Sequence, residues 1–213
     1  MARGCHPCTS CVCTLYGAMV IFALSFLIFW LIFLPQELKF TVTDASLTRF
    51  DYNSTGNNTL FYNMSLNITI RNPNKKVGVY FNRIQTLSHF AKKRFSMVTL
   101  TSPPFYQGHK NTTVVGAAIE GQQLLLFKKK DVDKYDRETS AGIYSIEIKL
   151  ALRVKARYGK FKTRYYKPAE KISCKLKLPL LHKSINGTAS SAAQFHPTRC
   201  GNVYVIIAKY DGA

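Results

Sequence analysis

Leu60-Phe61-Tyr62-Asn63-Met64-Ser65-Leu66-Asn67-Ile68-Thr69-Ile70-Arg71 decides how the chain folds. The even positions are apolar throughout, while Asn63, Ser65, Asn67, Thr69 and Arg71 are polar. Side chains alternate across a strand, so this period of two describes a strand with one buried face. Asn63 and Asn67 are therefore predicted to face solvent. The same alternation returns in Tyr144, Ile146, Ile148, Leu150, Leu152 and Val154, with Ser145, Glu147, Lys149, Arg153 and Lys155 on the other side. It returns again in Ile172, Cys174, Leu176 and Leu178, which aims Cys174 at the core.

Shorter strands are expected at 38–42, 79–90, 95–100, 112–119, 122–127 and 203–208. Turn residues separate the runs: Asn72-Pro73-Asn74, Ser102-Pro103-Pro104, Tyr158-Gly159-Lys160 and Asn186-Gly187. Ser184 to Ala193 reads as a loop, and no long amphipathic helix competes. The expected fold is all-β, an antiparallel sandwich of immunoglobulin or fibronectin III type.

Working towards the N-terminus, Leu15 to Leu34 carries no charge, and only Tyr16 and Ser25 are polar. At about 1.5 Å per residue this stretch spans roughly 30 Å of hydrocarbon. A cleaved signal peptide would have a shorter apolar region and a small-residue cleavage site. Residues 26–40 contain no Ala, Gly or Ser, so a retained signal anchor is the expectation. The predicted organisation is a Cys-rich cytosolic tail (1–14), a transmembrane helix (15–34) and an outer domain (35–213). Of 30 Lys and Arg only Arg3 precedes the outer domain, and all 11 Asp and Glu lie within it, leaving the domain at +18. Such an excess favours anionic partners.

Charges flanking the helix do not settle its orientation, but glycosylation acceptors do. Asn-x-Ser/Thr occurs at Asn53, Asn57, Asn63, Asn67, Asn111 and Asn186, all after the helix. The first two are close to the helix in sequence. Eleven Asn and 31 Ser and Thr in 213 residues would give about two such triplets by chance. The N-terminus is therefore expected in the cytosol and the domain outside the cell. Cys174 and Cys200 would form a disulfide in that oxidising compartment. Cys5, Cys8, Cys11 and Cys13 suit reversible palmitoylation beside the membrane. Their spacing also resembles half a metal site, but no second half exists.

Catalytic signatures are missing: no nucleophile elbow, zinc-protease helix, phosphate loop or dinucleotide fingerprint occurs, and the five His are scattered. Asp131, Asp133, Asp136 and Glu138 read as a solvated turn in a Lys-rich loop. Neither an enzyme nor a cofactor is expected. The positive feature is a basic ribbon of Lys149, Arg153, Lys155, Arg157, Lys160, Lys162 and Arg164, continued by Lys167, Lys171, Lys175 and Lys177 and interleaved with Tyr158, Phe161, Tyr165 and Tyr166. Inside a cell such a ribbon would suit nucleic acid. Outside, the polyanions on offer are acidic polysaccharide and anionic lipid, and a merely solvated charged face is the plainer alternative.

Two runs carry a family resemblance. Arg71-Asn72-Pro73-Asn74-Lys75-Lys76-Val77-Gly78-Val79-Tyr80 and Pro104-Phe105-Tyr106-Gln107-Gly108-His109-Lys110-Asn111-Thr112-Thr113 resemble those of plant harpin-induced and non-race-specific-disease-resistance-like proteins of the late embryogenesis abundant group two superfamily. Residues 39–47 resemble the strand that opens the domain in that family. The resemblance implies a plasma-membrane protein with a small outer β-sandwich, associated with pathogen and stress responses, and supplies no catalytic residue. The expected role is a non-catalytic binding or adaptor component, since a fourteen-residue tail leaves no room for an effector domain. Its partners would be the lipid bilayer and other membrane or defence-signalling proteins, with no nucleic acid. The alternatives are a structural tether to acidic cell-wall polysaccharide and a lipid-binding sandwich.

Overall fold

The computed structural model describes residues 7–33, 36–53, 56–100, 104–165, 172–181 and 195–202. Cys5, Asn186, Lys167, Lys171, the 184–193 loop and the 203–208 strand of the sequence reading lie outside these residues. The chain divides into two compact units, Met1–Leu34 and Pro35–Ala213.

The first unit holds α1 (Pro7–Phe33), which begins earlier than the apolar run suggested. Proline suits a first helical position, where its missing N–H would have had no partner. The helix thus takes in Cys8, Cys11 and Cys13, of which Cys13 is exposed and free. Val12–Phe29 has a mean hydropathy of 2.3, is unburied, and is long and apolar enough to cross a membrane.

The second unit is two antiparallel sheets. One has the order β10-β1-β2-β6, from β1 (Lys39–Asn53), β2 (Thr59–Arg71), β6 (Thr112–Leu124) and β10 (Thr198–Arg199). The other has β4-β3-β7-β8, from β3 (Val77–Phe90), β4 (Lys93–Thr99), β7 (Ile143–Tyr158) and β8 (Phe161–Lys162), with β5 (Phe105–Gln107) on β3 and β9 (Ile172–Pro179) on β7. The sheets are curled, and their arrangement is not clearly that of an immunoglobulin domain. Alternation decides what is buried. Leu60, Met64, Leu66, Ile68 and Ile70 of β2 meet Tyr144, Ile146, Ile148, Leu150 and Val154 of β7 in one core. Phe50 anchors one end of that core, edge-on to Phe90 and Phe95 at 5.3 and 5.7 Å.

The strands expected at 112–119 and 122–127 are one strand, β6, which stops at Leu124, and two further elements differ from the sequence reading. The acidic cluster is not a turn but sits on α2 (Lys129–Ala141), which closes on Gly142 in the left-handed region. The helix has no fully buried residue, so its period is nearly invisible in the sequence. Tyr135 holds it instead: its hydroxyl donates to Phe50 O at 3.1 Å and accepts from Tyr52 N at 2.9 Å. Glu138 adds an acceptor for Ser145 N at 2.9 Å. The second difference is β1, which runs fifteen residues rather than five. Register shifts between Val42 and Asp44 and between Leu47 and Arg49 break its alternation. At about 3.3 Å per residue it carries the chain roughly 45 Å, so Asn53 and Asn57 lie at the opposite end of the sandwich from Gln36, despite being near it in sequence.

Cys174 and Cys200 are joined by a disulfide. Cys174 is on β9 and Cys200 follows β10, so the bond connects the two sheets. Closing a loop of this length contributes about 3.5 kcal/mol on the chain-entropy account.

The Asn-Pro-Asn turn does more than reverse the chain. Asn72 is fully buried and donates from Nδ2 to Val77 O at 2.8 Å and Gly108 O at 3.0 Å. Its Oδ1 accepts from Asn74 N at 3.1 Å and Asn74 Nδ2 at 2.9 Å. Its backbone N–H reaches Asn111 O at 2.9 Å, and Gln107 Nε2 donates to Ile70 O and Asn111 O at 2.7 and 3.0 Å. The two runs that carry the family resemblance are thus one buried network. An unpaired buried polar group costs about 1–3 kcal/mol, so Asn72→Ala, which strands two carbonyls, is expected to destabilise by about 3 kcal/mol in denaturant unfolding. Asn72→Asp should be worse, because a carboxylate oxygen would face those carbonyls in place of the donor. An unchanged unfolding midpoint in both variants would contradict this account.

Candidate binding face

The register of β3 on β7 builds the outer face of the larger sheet. Gly78 pairs with Arg157, Tyr80 with Lys155, Arg83 with Arg153, Leu87 with Lys149 and His89 with Glu147. β8 places Lys162 beside Arg157. The inward residues between them, Val154 and Ala156 among others, are buried, which forces the cations outward.

These cations meet rings rather than carboxylates. Arg157 lies 5.7 Å from the Tyr106 ring, and its Nη1 donates to the Tyr80 hydroxyl at 3.3 Å. Lys155 lies 5.9 Å from Tyr80 and 5.0 Å from Tyr165, Lys162 lies 5.7 Å from Tyr80, and Arg153 lies 5.7 Å from Tyr165. The Tyr80 and Tyr106 rings pack at 4.5 Å. An exposed cation over a ring gains about 0.5–1 kcal/mol, enough to order a side chain without discharging it. Among the described residues none of Arg153, Lys155, Arg157 and Lys162 has a carboxylate partner.

Lys149 is the exception, 3.4 Å from Glu147. A hydrogen bond from Ser173 Oγ at 2.7 Å, with Lys149 nearby, holds the Glu147 carboxyl below its ordinary range. Lys160 and Arg164 are exposed beyond the ladder, while Lys175 and Lys177 extend the face along β9. The basic ribbon read from the sequence is therefore one surface for most of its members. Tyr80, Tyr106 and Arg83 were not part of that reading, because they come from distant strands.

The described acceptor asparagines lie off this face. Asn63 and Asn67 point outward from β2, in the opposite sheet, beside Ser65 and Thr43. Asn53 ends β1, Asn57 lies in the β1–β2 connection and Asn111 leads into β6. Surface cavities of about 510 and 370 Å³ have basic side chains in their walls, including Lys92, Lys134 and Arg137 in the first and Lys75, Lys76 and Arg157 in the second. Neither is an apolar groove between the sheets. Among the described residues no group of three His, Cys, Asp or Glu could hold a metal ion.

Over 93% of its length the chain is 45% identical to NDR1/HIN1-like protein 10 of Arabidopsis thaliana, covering 85% of that protein. The chain belongs to the NDR1/HIN1-like family. NDR1/HIN1-like protein 3 of the same plant is 43% identical over 85% of this chain and 74% of its own. Residues 67–170 match the late embryogenesis abundant protein family LEA_2, a span that includes both motif runs and the β3–β7 face. A solution structure from Arabidopsis thaliana is 13% identical over 68% of this chain and 83% of that one, with a TM-score of 0.33.

Gly78 is where this NDR1/HIN1-like chain makes room for the ladder. A Cβ there would collide with the Tyr106 hydroxyl and the ring carbons next to it. Gly78→Ala is expected to swing Tyr106 off the face and change the tyrosine near-ultraviolet dichroism, at about 1–2 kcal/mol of stability, as for other overpacking. In a Tyr106→Ala background the same substitution should have almost no effect. Equal effects in both backgrounds would show that Tyr106 is not what Gly78 accommodates.

Proposed function

We propose that the chain is a single-pass plasma-membrane glycoprotein, N-terminus in the cytosol and sandwich outside, that acts without catalysis as a binding component of plant defence. The observation that carries the reading is the cationic and aromatic ladder, whose charges are held in place by rings and left unneutralised by acids. Such an array recognises a flexible polyanion: each contact is weak and screened by salt, but many act together. Acidic cell-wall polysaccharide is the polyanion proposed, with sugar rings stacking on Tyr80, Tyr106 and Tyr165. The family supports the defence role through the NDR1/HIN1-like relatives. The acceptor asparagines support an outside location, since glycans on the described sites would leave the ladder open. Palmitoylation of Cys5, Cys8, Cys11 and Cys13 fits the same topology.

Neutralising Arg153, Lys155, Arg157, Lys162 and Arg164 to Gln in the full chain, held in neutral detergent, is expected to abolish salt-sensitive retention on pectate. Retention indifferent to both substitution and salt would remove the polysaccharide reading.

Topology is tested separately. Peptide N-glycosidase should lower the apparent mass of the protein expressed in plant cells by several glycan units, and Cys174 and Cys200 should resist alkylation until reduced. A full-length protein with no glycan and two freely alkylated thiols would put the sandwich in the cytosol.

A further inference from the structure

One end of the sandwich gathers features that the binding face does not use. Gln36, the first described residue after α1, is clamped to the Asn-Pro-Asn turn: its N–H donates to Asn74 Oδ1 at 2.7 Å, and Asn74 Nδ2 donates to its carbonyl at 2.9 Å. The same end holds the exposed Lys75 and Lys76 that follow this turn. It also holds the β7–β8 hairpin, because Val77 at the start of β3 pairs with Tyr158 at the end of β7. Gly159, at φ 57°, makes that turn with Lys160, and β8 begins directly after it with Phe161 opposite Tyr158 and Lys162 opposite Arg157.

Phe161 is 81% exposed. Nothing in the fold requires a phenyl ring there, and water disfavours it. Beside the tip, Lys75, Lys76, Tyr106, His109 and Arg157 line an open notch of about 370 Å³. An exposed ring next to Lys160 and a basic notch is the chemistry of a membrane interface: the ring lies among headgroups while the ammonium groups meet phosphates.

We propose that this end of the sandwich rests on the bilayer surface, with Phe161 dipping into the interface and Lys75, Lys76 and Lys160 held by lipid phosphates. The choice of a bilayer over a soluble polyanion follows from connectivity. α1 ends at Phe33, and after Leu34 and Pro35 the chain is already fixed to this end at Gln36. The proposal rests on reading α1 as the membrane anchor. Asn111 belongs to the same end but leads into β6, the edge strand of the other sheet, away from the hairpin. Arg153 and Lys155 lie further along the face and stay accessible, and the lysines reversed to test the proposal, Lys75, Lys76 and Lys160, are not those of the polysaccharide test.

The test uses the full chain in lipid nanodiscs containing a minority of anionic lipid. Trp30, the single tryptophan, is first replaced by Phe. Phe161→Trp then reports on the hairpin tip, and Leu126→Trp, exposed at the far end of the sandwich, reports on the opposite end. Lipids brominated near the headgroup are expected to quench and blue-shift the tip reporter and leave the far reporter unchanged. Charge reversal of Lys75, Lys76 and Lys160 to Glu should relieve most of that quenching, as each lysine near an anionic surface contributes about fivefold in affinity. An unquenched tip reporter in chains incorporated into the discs, or equal quenching at both ends, would overturn the proposal. Failure to enter the discs at all would instead count against the anchor on which it rests.

Discussion

The buried amide of Asn72 is the constraint on which the rest of the sandwich depends. β2 and β3 belong to different sheets, as do β5 and β6, so the chain must cross between layers twice at one end. Each crossing exposes backbone groups that no ladder can pair. Asn72 satisfies groups from both, taking carbonyls of Val77 and Gly108 with one nitrogen. A polar network sealed from water fixes geometry through its paired members; here both ends of the Asn72 amide are paired, while the buried Gln107 Oε1 has no partner. The sheets are thereby set in register with each other at the end where the chain comes in. From there β3 and β7 run side by side and carry the cationic ladder.

That rigid start explains why the two outer faces can differ so completely. The smaller sheet turns outward Ser, Thr and Asn mixed with charges of both signs, such as the Arg49–Asp51 pair, and is cross-linked by bonds such as Ser46 to Ser65 at 2.6 Å. The larger turns outward Lys, Arg and Tyr. Both faces obey the same alternation, so the difference is chemical and not architectural. A small sandwich with one face suited to glycans and another to anions can be crowded on one side and remain available on the other.

The strands were legible where alternation is unbroken. β2, β7 and β9 follow the parity of their sequences, and Cys174 turns inward as that parity requires. β1 was foreshortened in the sequence because its two register shifts move Asp44 and Arg49 out of step. α2 was hidden for another reason: it depends on Tyr135 reaching Phe50 and Tyr52, a tertiary anchor that no local period records. At the binding face, the cations of β7 could be read in a line, but the rings that order them could not. Tyr80, Tyr106 and Tyr165 come from three separate segments, and the pairing of β3 with both β5 and β7 brings them together. The Asn-Pro-Asn run was recognisable as a turn, whereas its burial was not.

The bond between Cys174 and Cys200 has a consequence for how the molecule withstands proteolysis. The chain between these cysteines includes the Ser- and Ala-rich stretch 184–193, of a composition that proteases cleave readily when it is accessible. A single cut anywhere between the two cysteines separates the polypeptide but not the molecule. The piece bearing β10 stays covalently attached to β9, and through it to the larger sheet. One nick would therefore leave a two-chain molecule held together by this one covalent bond.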